Sequence, residues 1–310
     1  MGMAIIATIR RFWLLIVILV ALSAITLAAG GDRPEFTYHA NVTEVRMSFS
    51  AIDQNNHGVA TLQAADFAVV DKGFVVRDFQ SFVRSDCTKL QIAILVDASE
   101  SVRPNFRKEI GQVLELISQT AGVPDENLAM FSFRDQKPAL LCGGDCRASH
   151  VTDRLFPSHA GGFTPLYDTL VFAADYLAQR SEAHSQKVLI LFSDGEDTIS
   201  RSSLADVIEA AQASDIQIYS IVLAGSDSFG RGTLVLQNLA DASGGRIFSA
   251  RQGAVKAANA VLENFHASYV VTYQLPTRAG GFHLVRILPT HNMNLQFHSR
   301  SGYYFPARSQ

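Results

Sequence analysis

Basic residues are not in excess in this sequence. Its 310 residues include 26 lysines and arginines against 29 aspartates and glutamates, for a formal net charge of −3. After Arg10 and Arg11 no long basic run follows. Because a nucleic-acid-binding surface needs concentrated positive charge, the sequence gives no reason to expect a nucleic acid as partner.

Familiar catalytic signatures are also missing. The sequence contains no Gly-x-Ser-x-Gly elbow, no His-Glu-x-x-His motif and no Gly-x4-Gly-Lys-Ser/Thr loop. We therefore expect a protein that is not an enzyme. A metal-dependent hydrolase is the alternative, but no histidine or additional carboxylate stands out as its base.

Cysteine is scarce: the sequence has Cys87, Cys142 and Cys146. In an oxidising compartment, Cys142 and Cys146 could close a small disulfide loop and leave Cys87 unpaired. Two alternatives stay open. The cysteines could be free thiols, or His150 could extend the spacing to Cys-x3-Cys-x3-His in a zinc site, for which no fourth ligand is evident.

The longest apolar run stands at the N-terminus, within residues 1–30. Arg10 and Arg11 precede 19 mostly apolar residues, Phe12–Gly30, which end in small side chains. This order is typical of a secretory signal peptide, and the run is also long enough to be a signal anchor. In either case the positive charge stays inside, so we expect export of the remainder: periplasmic, secreted, or anchored in the cytoplasmic membrane through residues 12–30 and facing outward.

From Leu90 onward, apolar strands alternate with amphipathic helices. Leu90–Val96 and Val188–Phe192 are continuous apolar runs, typical of strands covered on both faces. Between such runs the apolar residues have helical spacing, as in Leu170, Ala173, Ala174 and Leu177. The alternation predicts an α/β domain over residues 89–267, with a mainly parallel, doubly wound sheet joined by right-handed crossovers.

Strand-like segments flank that domain on both sides. Residues 33–88 alternate loosely between apolar and polar side chains and are punctuated by turns. Residues 268–310 contain three further strand-like runs: Tyr269–Leu275, His283–Leu288 and Met293–His298. Neither segment would easily make a stable sheet alone. We therefore expect the two to pair as one small β domain into which the α/β domain is inserted.

Polar side chains follow the two buried strands at their carboxyl ends. Asp97, Ser99 and Ser101 come directly after the first strand, and Asp194 comes directly after the second. A glycine-containing loop before a predicted helix adds Thr164. In an open α/β sheet, ligands bind where such strand ends meet a reversal of strand order. Each residue alone could be a helix cap or a loop residue, but together they predict one shared crevice.

The Asp-x-Ser-x-Ser motif at 97–101, followed by Thr164 and Asp194, resembles the metal-ion-dependent adhesion site (MIDAS) of von Willebrand factor A (VWA) domains, which have a Rossmann-like fold. The strand and helix context fits at all three places. Outside this region, Leu62–Gly73 and Arg300–Tyr304 are similar to exported bacterial proteins known as VWFA-related domain proteins, abundant in acidobacteria.

The resemblance implies that one Mg²⁺ (or Mn²⁺ or Ca²⁺) is held by Asp97, Ser99, Ser101, Thr164 and Asp194. Magnesium prefers six hard oxygen ligands and gives up water reluctantly, so this set leaves a position open for a partner's carboxylate. We therefore expect a metal-dependent module that binds a protein ligand through an acidic side chain, in adhesion or docking. An accessory subunit of an envelope assembly is the alternative. We interpret the nearby Glu100, Glu196 and Asp197 as solvated acids.

Overall fold

The computed structural model describes residues 44–85, 88–99, 106–118, 127–135, 138–144, 146, 151, 162–180, 185–222 and 230–305. The predicted leader and the predicted ligand Ser101 lie outside these residues, as do Cys87, Glu100 and His150. No helix in the described part of the chain has both the length and the apolar character needed to cross a membrane.

The strands of the described residues are, in chain order, β1 (Glu44–Ile52), β2 (Phe67–Asp71), β3 (Phe74–Val76), β4 (Ser81–Arg84), β5 (Leu90–Asp97), β6 (Leu128–Phe133), β7 (Ala139–Gly143), β8 (Gln186–Ser193), β9 (Ile216–Val222), β10 (Ile247–Ser249), β11 (Ser268–Gln274), β12 (Gly281–Pro289), β13 (Gln296–Ser299) and β14 (Gly302–Phe305). The helices are α1 (Phe106–Ser118), α2 (Leu166–Arg180), α3 (Leu204–Ala213), α4 (Arg231–Ser243) and α5 (Ala254–His266).

A six-stranded sheet forms the centre of the α/β domain, in the order β10-β9-β8-β5-β6-β7. Its first five strands are parallel, and β7 pairs antiparallel with β6 at the edge. Helices cover both faces. The predicted α/β class with a mainly parallel, doubly wound sheet is confirmed.

Alternating side chains of the central strand β5 contribute to two separate cores. Ile92, Ile94 and Val96 pack with residues of α1 and α5, whereas Ala93 and Leu95 pack with residues of α2, α3 and α4. All five side chains are fully buried. Burial on both faces explains why the strand is apolar from Ile92 to Val96.

The segments that flank the α/β domain pair with each other in two antiparallel sheets. One sheet has the order β13-β1-β11-β4, and the other has the order β14-β12-β2-β3. In the first, Glu44 of β1 lies opposite Gln274 of β11. In the second, Asp71 of β2 lies opposite Val285 of β12. Each sheet therefore contains strands from both sides of the α/β domain.

An aromatic core joins these two sheets into a β domain. The ring of Phe49 in β1 lies 5.1 Å from that of Phe67 in β2 and 5.6 Å from that of Tyr269 in β11, between centroids. Strand β14 was not predicted from the sequence. Its four residues pair with Gly281–Leu284 of β12. A strand this short has too few residues to show an alternating hydrophobic pattern, so its pairing with β12 defines it.

Arg300 connects the β domain to the α/β domain. Its guanidinium donates hydrogen bonds to the carbonyl oxygens of Gln212 in α3 (2.8 Å) and Arg46 in β1 (2.9 Å). The carboxylate of Asp215, just before β9, lies 3.5 Å from Arg300 and 3.8 Å from Arg46. Because Arg300 is almost completely buried, this contact is shielded from water.

A disulfide links Cys142 in β7 to Cys146. Both residues are buried in the core that also contains α1 and α5. Of the three states that the sequence left open for this pair, the structure has the disulfide.

Candidate metal centre

The candidate site lies where the direction of strand addition reverses in the six-stranded sheet. The chain runs from β5 to β6 on one side, and then from β8 to β9 and β10 on the other. Strands β5 and β8 are parallel neighbours in register, with Val96 opposite Phe192. Their carboxyl ends therefore bring Asp97 and the Ser193-Asp194 pair to the same edge, which is the usual ligand crevice of such sheets.

The carboxylate of Asp97 is completely buried at this edge. Its Oδ1 accepts a hydrogen bond from the backbone N–H of Ser99 (2.9 Å), and its Oδ2 accepts one from the hydroxyl of Ser193 (2.9 Å). Burial raises the pKa of Asp97, and the neighbouring charge of Asp194 raises it further, although the bonds from the two serines act in the opposite direction. The ionised form of Asp97 is thus incompletely stabilised by the protein around it.

Asp194 follows β8 and is half-buried. Its Oδ1 accepts a hydrogen bond from the backbone N–H of Glu196 (3.0 Å). Gly195 has a φ of 85°, and a Cβ atom there would overlap the carbonyl oxygen of Gly232 near the start of α4. Only glycine permits this close approach, which holds the turn after Asp194 in place.

Thr164 is buried just before α2 and is bound to the loop that begins at Asp194. The backbone N–H of Thr164 donates to the hydroxyl of Thr198 (2.6 Å), and its carbonyl accepts from the backbone N–H of Thr198 (2.9 Å). A single loop therefore carries Asp194 and holds Thr164. The structure brings Asp97 close to Asp194. Thr164 is linked to Asp194 indirectly, by its two hydrogen bonds to Thr198 in the same loop.

The same loop also caps helix α2. Asp197 Oδ1 accepts hydrogen bonds from the backbone N–H of Tyr167 (3.4 Å) and the hydroxyl of Ser200 (2.5 Å), and Ser200 accepts one from the backbone N–H of Asp168 (3.1 Å). Asp197 is therefore half-buried and structural, not the solvated acid expected from the sequence. Glu196 is exposed, as expected.

Sequence reasoning missed the supporting roles of Ser193 and Thr198. Ser193 accepts a hydrogen bond from the backbone N–H of Gly195 (3.1 Å) in addition to donating to Asp97. Thr198 belongs to a stretch rich in hydroxyl side chains between Asp194 and α3. That richness was the available signal, because hydroxyl groups in loops commonly bond to backbone groups.

The residues present at this edge fit a divalent cation. Among the described residues, no ion pair reaches Asp97, and its hydrogen-bond donors are neutral. The described chain also has no cluster of three or more His, Cys, Asp or Glu side chains placed to hold a metal. A cation here would thus be held by two carboxylates and by hydroxyl groups, a hard oxygen set of the kind that Mg²⁺ prefers.

The fold and this edge define an open α/β domain with a ligand crevice at the carboxyl ends of its strands. The family model of the von Willebrand factor type A domain matches residues 91–254, more than half of the chain. The chain belongs to this family. Such domains typically mediate protein–protein interaction or adhesion, are generally not enzymes, and commonly bind a divalent metal at a MIDAS.

Several solved structures show limited similarity to the chain. An aerotolerance-related membrane protein from Bacteroides fragilis is 13% identical over 57% of this chain and 98% of its own, with a TM-score of 0.41. Proximal thread matrix protein 1 from the mussel byssus, in a structure with a zinc-occupied MIDAS motif, is 18% identical over 63% of this chain and 49% of its own, with a TM-score of 0.44.

A von Willebrand factor type A protein from Catenulispora acidiphila is 12% identical over 87% of this chain and 76% of its own, with a TM-score of 0.45. The chain spans about half the length of the mussel protein. No curated protein sequence matches this chain at a significant level.

Proposed function

We propose that this chain is a metal-dependent binding module that acts outside the cytoplasm. The proposed ligands of a single Mg²⁺ (or Mn²⁺ or Ca²⁺) are Asp97, Ser99, Ser101, Thr164 and Asp194. The cation in turn binds an acidic side chain of a protein partner. The observation that carries the proposal is the buried Asp97, which lies near a second carboxylate and has neutral donors among the described residues.

A buried carboxylate without a cationic partner is costly, because the charge loses its hydration and nothing of opposite sign replaces it. Asp194 increases this cost by adding a like charge nearby. A divalent cation between the two carboxylates would reverse both effects. Natural domains retain such unfavourable arrangements chiefly where a function needs them, so the arrangement favours a site over a structural role.

Each ligand has a defined place in this proposal. Asp97 and Asp194 contribute charge, directly or through water, while Ser99 and Thr164 contribute neutral oxygens. The bound cation supplies an electrostatic attraction for an incoming anion. The loop from Asp194 to Thr198 carries one proposed ligand and is hydrogen-bonded to another, Thr164. Such supporting hydrogen bonds orient the ligands of metal sites.

Metal-dependent thermal unfolding of the full-length chain tests the site. Mg²⁺, Mn²⁺ and Ca²⁺ should each be titrated into the unmodified protein, Asp97→Ala and Asp175→Ala. The last removes an exposed carboxylate of α2 and serves as the matched control. At a concentration one hundred times its Kd, the metal should stabilise the unmodified protein by about 2.7 kcal/mol. Asp175→Ala should respond equally, and Asp97→Ala should not respond.

An equal response of Asp97→Ala would place the metal elsewhere and refute the proposed ligands. The partner is tested separately by capturing exported proteins on the immobilised chain with Mg²⁺ or with a chelator. Proteins retained with Mg²⁺, released by the chelator and not retained by Asp97→Ala are those expected. Proteins that are retained equally with Mg²⁺, with the chelator and by Asp97→Ala would contradict metal-dependent binding.

Export is the second part of the proposal and rests on the charge and hydropathy of residues 1–30. A C-terminal fusion to a reporter that is active only outside the cytoplasm should be active. A fusion to a reporter that is active only inside should be silent. The reverse pattern would refute export. Adhesion and docking in an envelope assembly use the same metal contact, and the captured partner distinguishes them.

A further inference from the structure

Phe163 is an exposed aromatic residue directly beside a proposed metal ligand. Its side chain is 63% exposed, although Thr164, the next residue, is buried. An exposed phenyl ring loses the stabilisation that burial of apolar surface provides. Single exposed apolar residues are common on flexible loops and need no explanation there. The question is therefore whether Phe163 lies on such a loop.

The backbone around Phe163 is held on both sides. Its N–H donates to Oδ1 of Asp135 (3.0 Å), and its carbonyl accepts from the backbone N–H of Asp135 (2.7 Å). The N–H and the carbonyl of Thr164 are both bonded to Thr198. Four consecutive backbone groups thus have partners from two different loops, which fixes the position from which the ring projects.

Asp135 adopts an unusual conformation to make these bonds. Its φ is 61°, in the left-handed region that residues other than glycine seldom adopt. Arg134 Nε lies 3.5 Å from the second oxygen of the Asp135 carboxylate. Gly162, with a φ of 140°, passes so close to Asp135 that a Cβ atom would overlap the carboxylate. Two residues, Asp135 and Gly162, therefore have restricted backbone conformations next to Phe163.

We propose that Phe163 is a second contact of the metal site and binds an apolar side chain of the partner next to the acidic residue that reaches the metal. The inference rests on the proposed function, because it needs a carboxylate at the metal. It adds the chemical class of the ligand: an acidic residue with an aromatic or large aliphatic neighbour, rather than any exposed acid.

The physical reason is preorganisation. A ring whose backbone is already fixed loses little conformational entropy when a partner covers it. More of the free energy of the apolar contact therefore contributes to binding affinity. Aromatic residues are enriched at the centres of protein interfaces for this reason. The metal would attract any carboxylate, whereas the ring of Phe163 would distinguish among carboxylates by the group attached to them.

Small carboxylates isolate this contact without knowledge of the partner. Acetate and 3-phenylpropanoate should be titrated into the full-length chain in saturating Mn²⁺, with 3-phenylpropanamide as a probe that keeps the ring and lacks the charge. Saturation-transfer NMR reports the binding of each. The proteins compared are the unmodified chain, Phe163→Ala and Phe74→Ala. Phe74 is 53% exposed on β3 of the β domain and provides a matched control.

The unmodified chain and Phe74→Ala should bind 3-phenylpropanoate about fivefold more tightly than acetate, the ratio expected for one aromatic contact. The amide should not bind measurably. Phe163→Ala should bind the metal and acetate normally and bind the two carboxylates equally. If the unmodified chain binds the metal but binds 3-phenylpropanoate and acetate with equal affinity, the role of Phe163 is overturned and the proposed function stays intact. Absence of metal binding would overturn both.

Discussion

Two buried aspartates show how differently the two domains accommodate a charge. Asp97 ends β5 in the α/β domain, and Asp71 ends β2 in the β domain; the side chains of both are completely buried. Oδ2 of Asp71 accepts hydrogen bonds from the hydroxyls of Tyr273 (3.0 Å) and Tyr303 (2.6 Å), and its Oδ1 lies 3.1 Å from Nδ1 of His283.

His283 completes this cluster in the β domain. Its Nε2 lies 2.7 Å from the carbonyl oxygen of Ala279, which can only accept, so Nε2 carries a proton. The hydroxyl of Tyr303 lies 3.2 Å from Nδ1 of His283, beside the contact of Nδ1 with Asp71. Burial, together with the carboxylate of Asp71, raises the pKa of Tyr273 and Tyr303, so both remain donors.

The comparison teaches that burial alone does not mark a binding site. Asp71 contacts an imidazole and accepts hydrogen bonds from two hydroxyl groups, so its cluster is complete without a ligand. Asp97 has the same burial, but its described partners are the backbone N–H of Ser99 and the hydroxyls of Ser99 and Ser193, all neutral, and a second carboxylate lies close by. The incomplete set of partners distinguishes the candidate metal centre from the structural cluster around Asp71.

The largest expected effect comes from breaking the complete cluster. Asp71→Asn removes the charge that His283 and two tyrosines solvate, and it should lower the free energy of unfolding by about 3–5 kcal/mol. Urea unfolding of the full-length chain at neutral pH measures this. Asp78→Asn, at an exposed position of the same domain, should change stability by less than about 0.5 kcal/mol. Similar losses in both variants would show that the cluster is not stabilising.

A smaller loss is expected when one hydroxyl of the cluster is removed. Tyr303→Phe deletes a hydrogen bond to a buried carboxylate while keeping the ring, and it should cost about 1.5–3 kcal/mol. The neighbouring Tyr304 is 64% exposed, so Tyr304→Phe should be nearly neutral in the same unfolding experiment. If the two substitutions have equal effects, the bond from Tyr303 to Asp71 contributes nothing.

At the candidate metal centre, removing a supporting hydroxyl should have a moderate effect. Ser193→Ala deletes a donor to Asp97 and an acceptor for the N–H of Gly195, so stability without metal should fall by about 1–2 kcal/mol. Ser220 in β9 is equally buried, but its hydroxyl has no hydrogen-bond partner in the described structure. Ser220→Ala should therefore be neutral or slightly stabilising. The opposite ranking would contradict the role given to Ser193.

The smallest effect is expected for neutralising the incomplete site. Without metal, Asp97→Asn removes an unfavourable buried charge and keeps the shape of the side chain, so stability should change by less than about 1 kcal/mol. Chemical unfolding in the presence of a chelator measures this change. A loss as large as that of Asp71→Asn would mean that Asp97 already has stabilising partners, and the contrast between the two aspartates would be wrong.

The predictable parts of this protein are those with local signals. Strands β5 and β8 were visible as apolar runs because both of their faces are buried. Residues 33–88 were expected to be punctuated by turns, and one such turn joins β2 to β3 at Lys72 and Gly73, which have positive φ. Strand β14 was missed because four residues carry no period of their own. Thr198 was missed because its hydroxyl serves a residue 34 positions away.

By itself, the sequence determined the alternation of strands and helices and the polar residues that follow β5 and β8, because hydrophobic periodicity and strand ends are properties of neighbouring residues. The separation between Asp71 and His283 is 212 residues, and Arg300 reaches the carbonyl of Arg46 across 254. No local pattern encodes such pairings. Only the tertiary structure decided which aspartate contacts a histidine and two tyrosines and which lies near a second carboxylate, since that depends on side chains brought together by folding.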